Sequence, residues 1–148
     1  MTSILGQAIM VLIGRIHHLR LNKMIKTRRL DLIPLSSAQL HLYLDDPAQL
    51  EAELGLRVSR PLITDVVKRA ISMKLEKMAK ADPAQLDWYT YWLIVLRDLP
   101  FGAGLIGFKG IPNEQGEAEI GYGIDPLHQG KGVASEAAQA MIHWAFQN

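Results

Sequence analysis

The sequence has no cysteine among its 148 residues. Disulfides, thiolate metal sites and cysteine nucleophiles are therefore excluded, and the absence is typical of a reducing compartment. It also lacks an excess of either charge, because 16 basic and 15 acidic side chains leave a formal net charge of +1. A nearly neutral chain gives no reason to expect nucleic-acid binding. We therefore expect a cytoplasmic protein with no nucleic-acid partner and no metal ion.

Long apolar runs are also missing. The apolar run at residues 8–13 is far shorter than the roughly 20 residues that a membrane span requires, so no transmembrane segment is expected. Acidic residues are absent from residues 1–30, which hold six basic side chains. We interpret residues 1–23 as a basic, amphipathic N-terminal extension, and a presequence or a membrane or ribosome tether remains an alternative. The domain itself is predicted over residues 24–148.

What the sequence does contain is enough apolar residues, 49% of the chain, for one domain with a core. Alternation of apolar residues from Leu30, ending at Pro34, predicts a first strand. Helices are predicted after Ser36 or Ser37, after Asp46, and from Pro61 to about residue 79. Strands are then predicted at residues 88–98, 104–110 and 117–124, in a meander, with a last helix from Val133. This order indicates an α+β or mixed α/β domain.

Two glycines, Gly130 and Gly132, flank Lys131 directly before the last predicted helix. A helix start has unpaired backbone N–H groups and partial positive charge, and glycines allow an anion such as phosphate to approach them. A plain turn into a helix is the alternative. Two other phosphate loops are excluded by spacing, because Asp125 stands where a Walker loop needs glycine and Pro126 where a dinucleotide-binding loop does.

The hexapeptide Gln129-Gly130-Lys131-Gly132-Val133-Ala134 matches Gln/Arg-x-x-Gly-x-Gly/Ala, the acetyl-CoA pyrophosphate loop of the GCN5-related N-acetyltransferase (GNAT) superfamily. Residues 117–146 closely resemble the RimJ/RimL group of that superfamily, as do residues 27–36 and 104–110. The resemblance implies a central, mostly antiparallel sheet flanked by helices. It also implies that the closing C-terminal strands and the usual general acid lie beyond this sequence. An exposed strand edge would then favour a homodimer.

By the same resemblance, the function is transfer of the acetyl group of acetyl-CoA to a primary amine by direct attack in a ternary complex. The acceptor would be a protein N-terminus or a small-molecule amine. Residues 129–134 would bind the pyrophosphate, and Gly123 and Ile124 the pantetheine arm. The alternative is a non-catalytic or truncated CoA-binding or protein-interaction module.

Single residues carry further expectations from the resemblance. Glu119 matches the general base of several members, with a structural or substrate-positioning carboxylate as the alternative. Glu136 is interpreted as a structural residue of the helix's first turn. His128 and His143 are expected on the surface, without a chemical role. The aromatic cluster at residues 88–92 is expected in the core, with one or two members lining the acceptor pocket.

Overall fold

The computed structural model describes residues 23–148, so nearly all of the predicted extension at residues 1–23 lies outside the described residues. Six strands and five α-helices are found in the described part of the chain. The strands are β1 (Ile25–Lys26), β2 (Leu30–Pro34), β3 (Arg57–Val58), β4 (Trp92–Leu96), β5 (Phe101–Phe108) and β6 (Ile120–Ile124). The helices are α1 (Ser37–Asp45), α2 (Pro47–Leu54), α3 (Asp65–Lys80), α4 (Leu86–Tyr89) and α5 (Val133–Gln147). Two short 3₁₀ helices occupy Pro83–Gln85 and Pro126–His128.

The six strands form one sheet in which β5 pairs with three other strands. Strands β1, β2, β4 and β5 are antiparallel neighbours in that order. The other edge of β5 is shared, because β3 pairs in parallel with its first residues and β6 pairs antiparallel with the remainder. The predicted meander of three strands is therefore confirmed as β4-β5-β6, and the sheet is mostly antiparallel as expected.

Helices cover both faces of this sheet, which follows from the alternation of side chains along each strand. Helices α1, α2 and α3 cover one face, with the buried core residues Ile33, Leu40, Tyr43, Leu50, Ile71, Met78, Leu93, Val95 and Leu105. Helix α5 covers the other, with Leu30, Leu32, Trp92, Ile94, Ile106, Phe108, Ile124, Val133, Ala137 and Met141. The fold is thus the expected mixed α/β arrangement.

Local capping explains where the first helices begin and end. Ser36 caps α1 through a capping box in which its hydroxyl accepts from the Gln39 N–H, 3.1 Å away. Asp46 caps α2, and Gly55 ends that helix in the left-handed conformation with a φ of 69°. The prediction that a helix begins at Pro61 is wrong, because α3 starts at Asp65 behind the N-cap Thr64.

Two predicted strands are too long. Residues 88 and 89 belong to α4, so β4 begins only at Trp92. The aromatic residues there were a signal of core packing: the Trp88 ring centroid lies 4.8 Å from that of Trp144 and 5.0 Å from that of Phe108. Strand β6 begins at Ile120 instead of residue 117, because the chain turns at residues 113–116 and the Asn113 side chain accepts from the Glu117 N–H.

Candidate functional site

The loop between β6 and α5 has a fixed local geometry. Asp125 is buried, and its carboxylate accepts hydrogen bonds from the Leu127 N–H at 2.9 Å and from the Ser59 hydroxyl at 2.5 Å. After the 3₁₀ turn that Asp125 caps, Gly130 and Gly132 adopt φ values of 75° and 77°. Residues with a side chain rarely adopt this conformation, so the two glycines are required for the path into α5.

A cleft of about 440 Å³ opens between the end of β6 and the start of α5. No side chain caps the N-terminus of α5, so its first N–H groups have no side-chain partner. A Cβ built on Gly130 meets no atom within 4 Å, so there is open space beside this residue of the loop. The cleft therefore suits an anionic group such as a diphosphate. It is lined by Tyr122, Gly123, Ile124, His128, Gln129, Gly130, Gly132, Val133, Ala134 and Ser135.

Seven of the eight residues predicted to hold acetyl-CoA line this cleft; the exception is Lys131, which is exposed outside the lining. The Gln129 side chain donates to the Ile124 carbonyl at 3.1 Å and so ties the loop to the end of β6. Sequence reasoning missed three lining residues. His128 was expected on the loop surface, but it is half-buried with its ring centroid 5.5 Å from that of Phe101. Tyr122 and Ser135 were missed although they adjoin predicted residues.

Sequence reasoning also missed the residues that hold this loop from outside the cleft. The Arg29 guanidinium donates from Nη1 to the Lys131 carbonyl at 2.9 Å and from Nε to Glu136 Oε1 at 2.7 Å. The other carboxylate oxygen of Glu136 accepts from the Arg29 backbone N–H at 2.9 Å and from the Thr27 hydroxyl at 2.5 Å. No spacing rule could find these contacts, because they join residues more than 100 positions apart.

The Glu136 carboxylate is therefore a structural group, as the sequence indicated, but with partners from the other end of the domain. Burial acts to raise its pKa. The hydrogen bonds from Thr27 and Arg29 and the Arg29 charge outweigh burial and lower the pKa to about 2. The group is thus ionised at neutral pH and holds Arg29 in place.

A second groove, of about 200 Å³, lies on the α3 side of β6. Its residues from α3 and the segment before it are apolar, and Tyr91 is the member of the predicted aromatic cluster that lines it. Burial raises the pKa of the Tyr91 hydroxyl, which therefore stays protonated at neutral pH. The groove is lined by Leu62, Val66, Val67, Ala70, Tyr91, Leu105, Gly121, Tyr122 and Gly123.

Glu119 lies just before β6 and lines neither this groove nor the larger cleft. Its backbone carbonyl accepts from the Lys109 N–H at 2.8 Å, which extends the β5–β6 ladder by one pair. Its carboxylate is 2.6 Å from Lys109 Nζ, and the Glu119 side chain is 69% exposed. An ion pair this exposed contributes little to stability, so both groups are free to exchange partners.

Residues 23–148 contain no group of three or more histidine, aspartate or glutamate side chains placed to hold a metal ion. In the same part of the chain, no helix is both long enough and apolar enough to cross a membrane.

Known proteins similar to this chain include two N-acetyltransferases. Over 55 residues the chain is 44% identical to the uncharacterized N-acetyltransferase YjdG of Bacillus subtilis (strain 168), and this match covers 37% of this chain and 33% of that relative. Over 45 residues it is 50% identical to the ribosomal-protein-serine acetyltransferase of Escherichia coli (strain K12), and this match covers 30% of this chain and 25% of that relative. The matches thus span a third or less of the length of these relatives.

The fold has a counterpart among solved structures. A Vibrio cholerae protein, provisionally named a ribosomal-protein-serine acetyltransferase, superimposes with a TM-score of 0.52 over 86% of this chain and 68% of its own. At 18% identity the likeness concerns the fold alone. The family model for the acetyltransferase (GNAT) domain matches residues 29–148. The chain therefore belongs to the GNAT acetyltransferase family, with relatives in the RimJ/RimL-like group.

Proposed function

We propose that this chain binds acetyl-CoA in the cleft between β6 and α5 and transfers the acetyl group to a primary amine. The observation that carries the proposal is the uncapped N-terminus of α5 behind two left-handed glycines, which opens into the same cleft as the end of β6. The glycines give a diphosphate access to backbone N–H groups. Gly123 and Ile124 line the same cleft, which supports binding of the pantetheine arm there.

The predicted ligands differ in what each would contribute. Gly130, Gly132, Val133 and Ala134 would bind the diphosphate through backbone N–H groups. Gln129 would act by holding the loop on β6, since its side chain already donates to Ile124. Lys131 would add only a longer-range positive charge, because it is exposed outside the lining.

Glu119 is our candidate for the general base. The acceptor amine must lose a proton before its nitrogen attacks the thioester carbonyl; a C–N bond then forms as the C–S bond breaks, and CoA leaves to be protonated as a thiol. Strand alternation puts Glu119 on the same face as Gly121 and Gly123, which line the groove on the α3 side. Its exposure and its pairing with Lys109 favour action through a water molecule over direct contact.

The groove on the α3 side is our candidate for the acceptor site. It adjoins the cleft across β6, because Tyr122 and Gly123 line both. Its lining includes no carboxylate, which disfavours a polycationic amine and favours an acceptor with an apolar group beside the amine. The activity named for the Escherichia coli relative favours a protein N-terminus as this acceptor.

A second function, a CoA-binding module without catalysis, is favoured by one observation: Glu119 lies outside the lining of both cavities. A Glu119→Gln variant decides between them, with Glu117→Gln as the matched control, because Glu117 is an exposed carboxylate two residues earlier. If Glu119 is the base, its variant should lose roughly a hundredfold in kcat while Glu117→Gln keeps wild-type turnover. Tight acetyl-CoA binding without turnover in the wild type would establish the second function instead.

Calorimetric titration of acetyl-CoA tests the cleft directly. Gly130→Glu places a negatively charged side chain on a residue that lines the cleft, where a Cβ meets no atom within 4 Å, so binding should be lost. Gly116→Glu is the control, because Gly116 has a similar φ of 77°, against 75° for Gly130, on a loop outside the cleft, and this variant should retain binding. A folded wild-type protein that does not bind acetyl-CoA, or equal binding by Gly130→Glu, would contradict the proposed function.

A further inference from the structure

We propose that Arg29 is a positioning residue for the diphosphate loop, and that it acts on acetyl-CoA binding without touching the ligand. The proposal rests on the proposed function of that loop. Arg29 lies in the turn between β1 and β2, at the opposite end of the described chain from α5. It nevertheless contacts the loop at Lys131 and helix α5 at Glu136.

Arg29 reaches the loop from outside the cleft. Its Nη1 binds the carbonyl of Lys131, and its Nη2 lies 3.3 Å from the position that a Cβ on Gly132 would occupy. Arg29 is not among the residues that line the cleft. The guanidinium therefore contacts the carbonyl side of the loop, which leaves the N–H groups of the loop to the ligand.

Three hydrogen bonds to Glu136 fix the direction of this guanidinium. Arg29 donates from both Nε and its backbone N–H, and Thr27 donates from its hydroxyl. Because the guanidinium is planar, the bond from Nε to Glu136 determines where Nη1 points. A lysine at this position could satisfy the carboxylate or the Lys131 carbonyl, but it could not satisfy both in this geometry.

The loop needs such an external constraint because of its own composition. Gly130 and Gly132 have few steric limits on their dihedrals, so a loop built on them has many accessible conformations. Ordering it only when the ligand binds would weaken affinity, whereas a loop already held in the binding conformation avoids that loss. Arg29 and Glu136 supply the constraint from two different elements of the fold.

Charge alone is a competing explanation, because any cation near the cleft attracts an anionic ligand. Arg28 gives a matched control. Arg28 directly precedes Arg29, carries the same charge and is exposed. Its backbone carbonyl accepts a hydrogen bond from the Arg97 guanidinium. An effect of charge should appear equally in Arg28→Ala and Arg29→Ala, whereas an effect of position should appear only in the second.

The experiment is titration of CoA into wild type, Arg29→Ala, Arg29→Lys and Arg28→Ala, with the free energy of unfolding measured for each. We expect Arg29→Ala to weaken the Kd for CoA about tenfold, which corresponds to the loss of one charge-assisted interaction. Arg29→Lys should give an intermediate loss and Arg28→Ala should stay within about twofold of wild type. All variants are compared under conditions in which each is fully folded.

A kinetic comparison separates positioning from general damage to the fold. S-acetylpantetheine carries the thioester but no diphosphate, so the loop contributes nothing to its use. In Arg29→Ala, kcat/KM for acetyl-CoA should fall about tenfold relative to kcat/KM for S-acetylpantetheine. An equal fall for both substrates would show a merely structural role and would overturn the proposal.

Two further outcomes would also overturn it. One is an unchanged Kd for CoA in Arg29→Ala. The other is an equal loss of affinity in Arg28→Ala and Arg29→Ala. If Gly130→Glu abolishes CoA binding in the same experiment while Arg29→Ala does not change it, the proposed function stands and only the role of Arg29 is refuted. If the wild-type protein does not bind CoA, both fail together.

Discussion

Lys74 gives the sharpest prediction about the stability of this domain. It lies on α3 with only 6% of its surface exposed, donates from Nζ to the Phe108 carbonyl, and lies 4.8 Å from the centroid of the Tyr91 ring. Burial, and then the charges of Lys77 and Lys109, lower the pKa of Lys74 from 10.5 to about 8. The charged form is therefore disfavoured in the folded state relative to the unfolded chain.

The sign of the pH dependence follows from that direction. Between about pH 8 and 10.5 the unfolded chain binds more protons at this lysine than the folded protein does, so the free energy of unfolding rises with pH. With pKa values of about 8 and 10.5 for the two states, we expect a gain of about 2 kcal/mol between about pH 7.5 and 9.5. The buried tyrosines Tyr43 and Tyr91 have raised pKa values, and the stability linked to them is lost only above about pH 10.

Urea denaturation at the two pH values measures this gain. Lys74→Met keeps the length of the side chain and removes the ionisable group, so its free energy of unfolding should rise by about 2 kcal/mol less than that of wild type. Lys68→Met is the matched control, because Lys68 is an exposed lysine on the same helix; its gain should equal the wild-type gain. If the free energy of unfolding of Lys74→Met rises with pH as much as that of wild type, the buried Lys74 is not the cause of the rise.

Three further predictions follow from other contacts. The pKa of Glu136 is lowered in the folded state, so its contribution to the free energy of unfolding is lost as the pH falls from about 4.5 to about 2. In an acid titration, Glu136→Gln should lose about 1 kcal/mol less stability than wild type. The expected difference is small because the partner Arg29 is partly exposed and solvent screens the pair. Gly104→Ala should cost at least about 2 kcal/mol in urea denaturation, since the new Cβ would lie 2.5 Å from the Gly123 carbonyl, whereas Gly121→Ala, with no atom within 4 Å, should cost far less. Ser36→Ala should remove about 1 kcal/mol through loss of the capping box, and an unchanged thermal midpoint would contradict that role.

The elements that sequence reasoning predicted correctly depend on local signals. The strand ending at Pro34, the caps at Ser36 and Asp46 and the start of α5 at Val133 each follow from a few neighbouring residues. The errors came where tertiary packing decided. Aromatic residues 88 and 89 pack in the core from a helical turn, although their composition favours a strand.

The candidate site divides in the same way. The Gly130–Gly132 loop could be found from the sequence, because a diphosphate loop has a short pattern next to a helix start, but its binding of acetyl-CoA stays a prediction. The base at Glu119, the acceptor, the homodimer and the cytoplasmic location stay predictions. The N-terminal extension at residues 1–23 also stays a prediction. Its last residue, Lys23, lies within the described part of the chain, with its Nζ 3.2 Å from the Asp87 carboxylate.

By itself, the sequence determined the order of most elements, their caps and the glycine loop, since each depends on dihedral preferences and hydrogen bonds within a few residues. Only the tertiary structure decided which side chains act on that loop. Arg29 and Thr27 meet Glu136 across more than 100 residues, and Lys74 reaches the Phe108 carbonyl across 34. Such contacts leave no local pattern, because their geometry is set by how the sheet brings distant segments together.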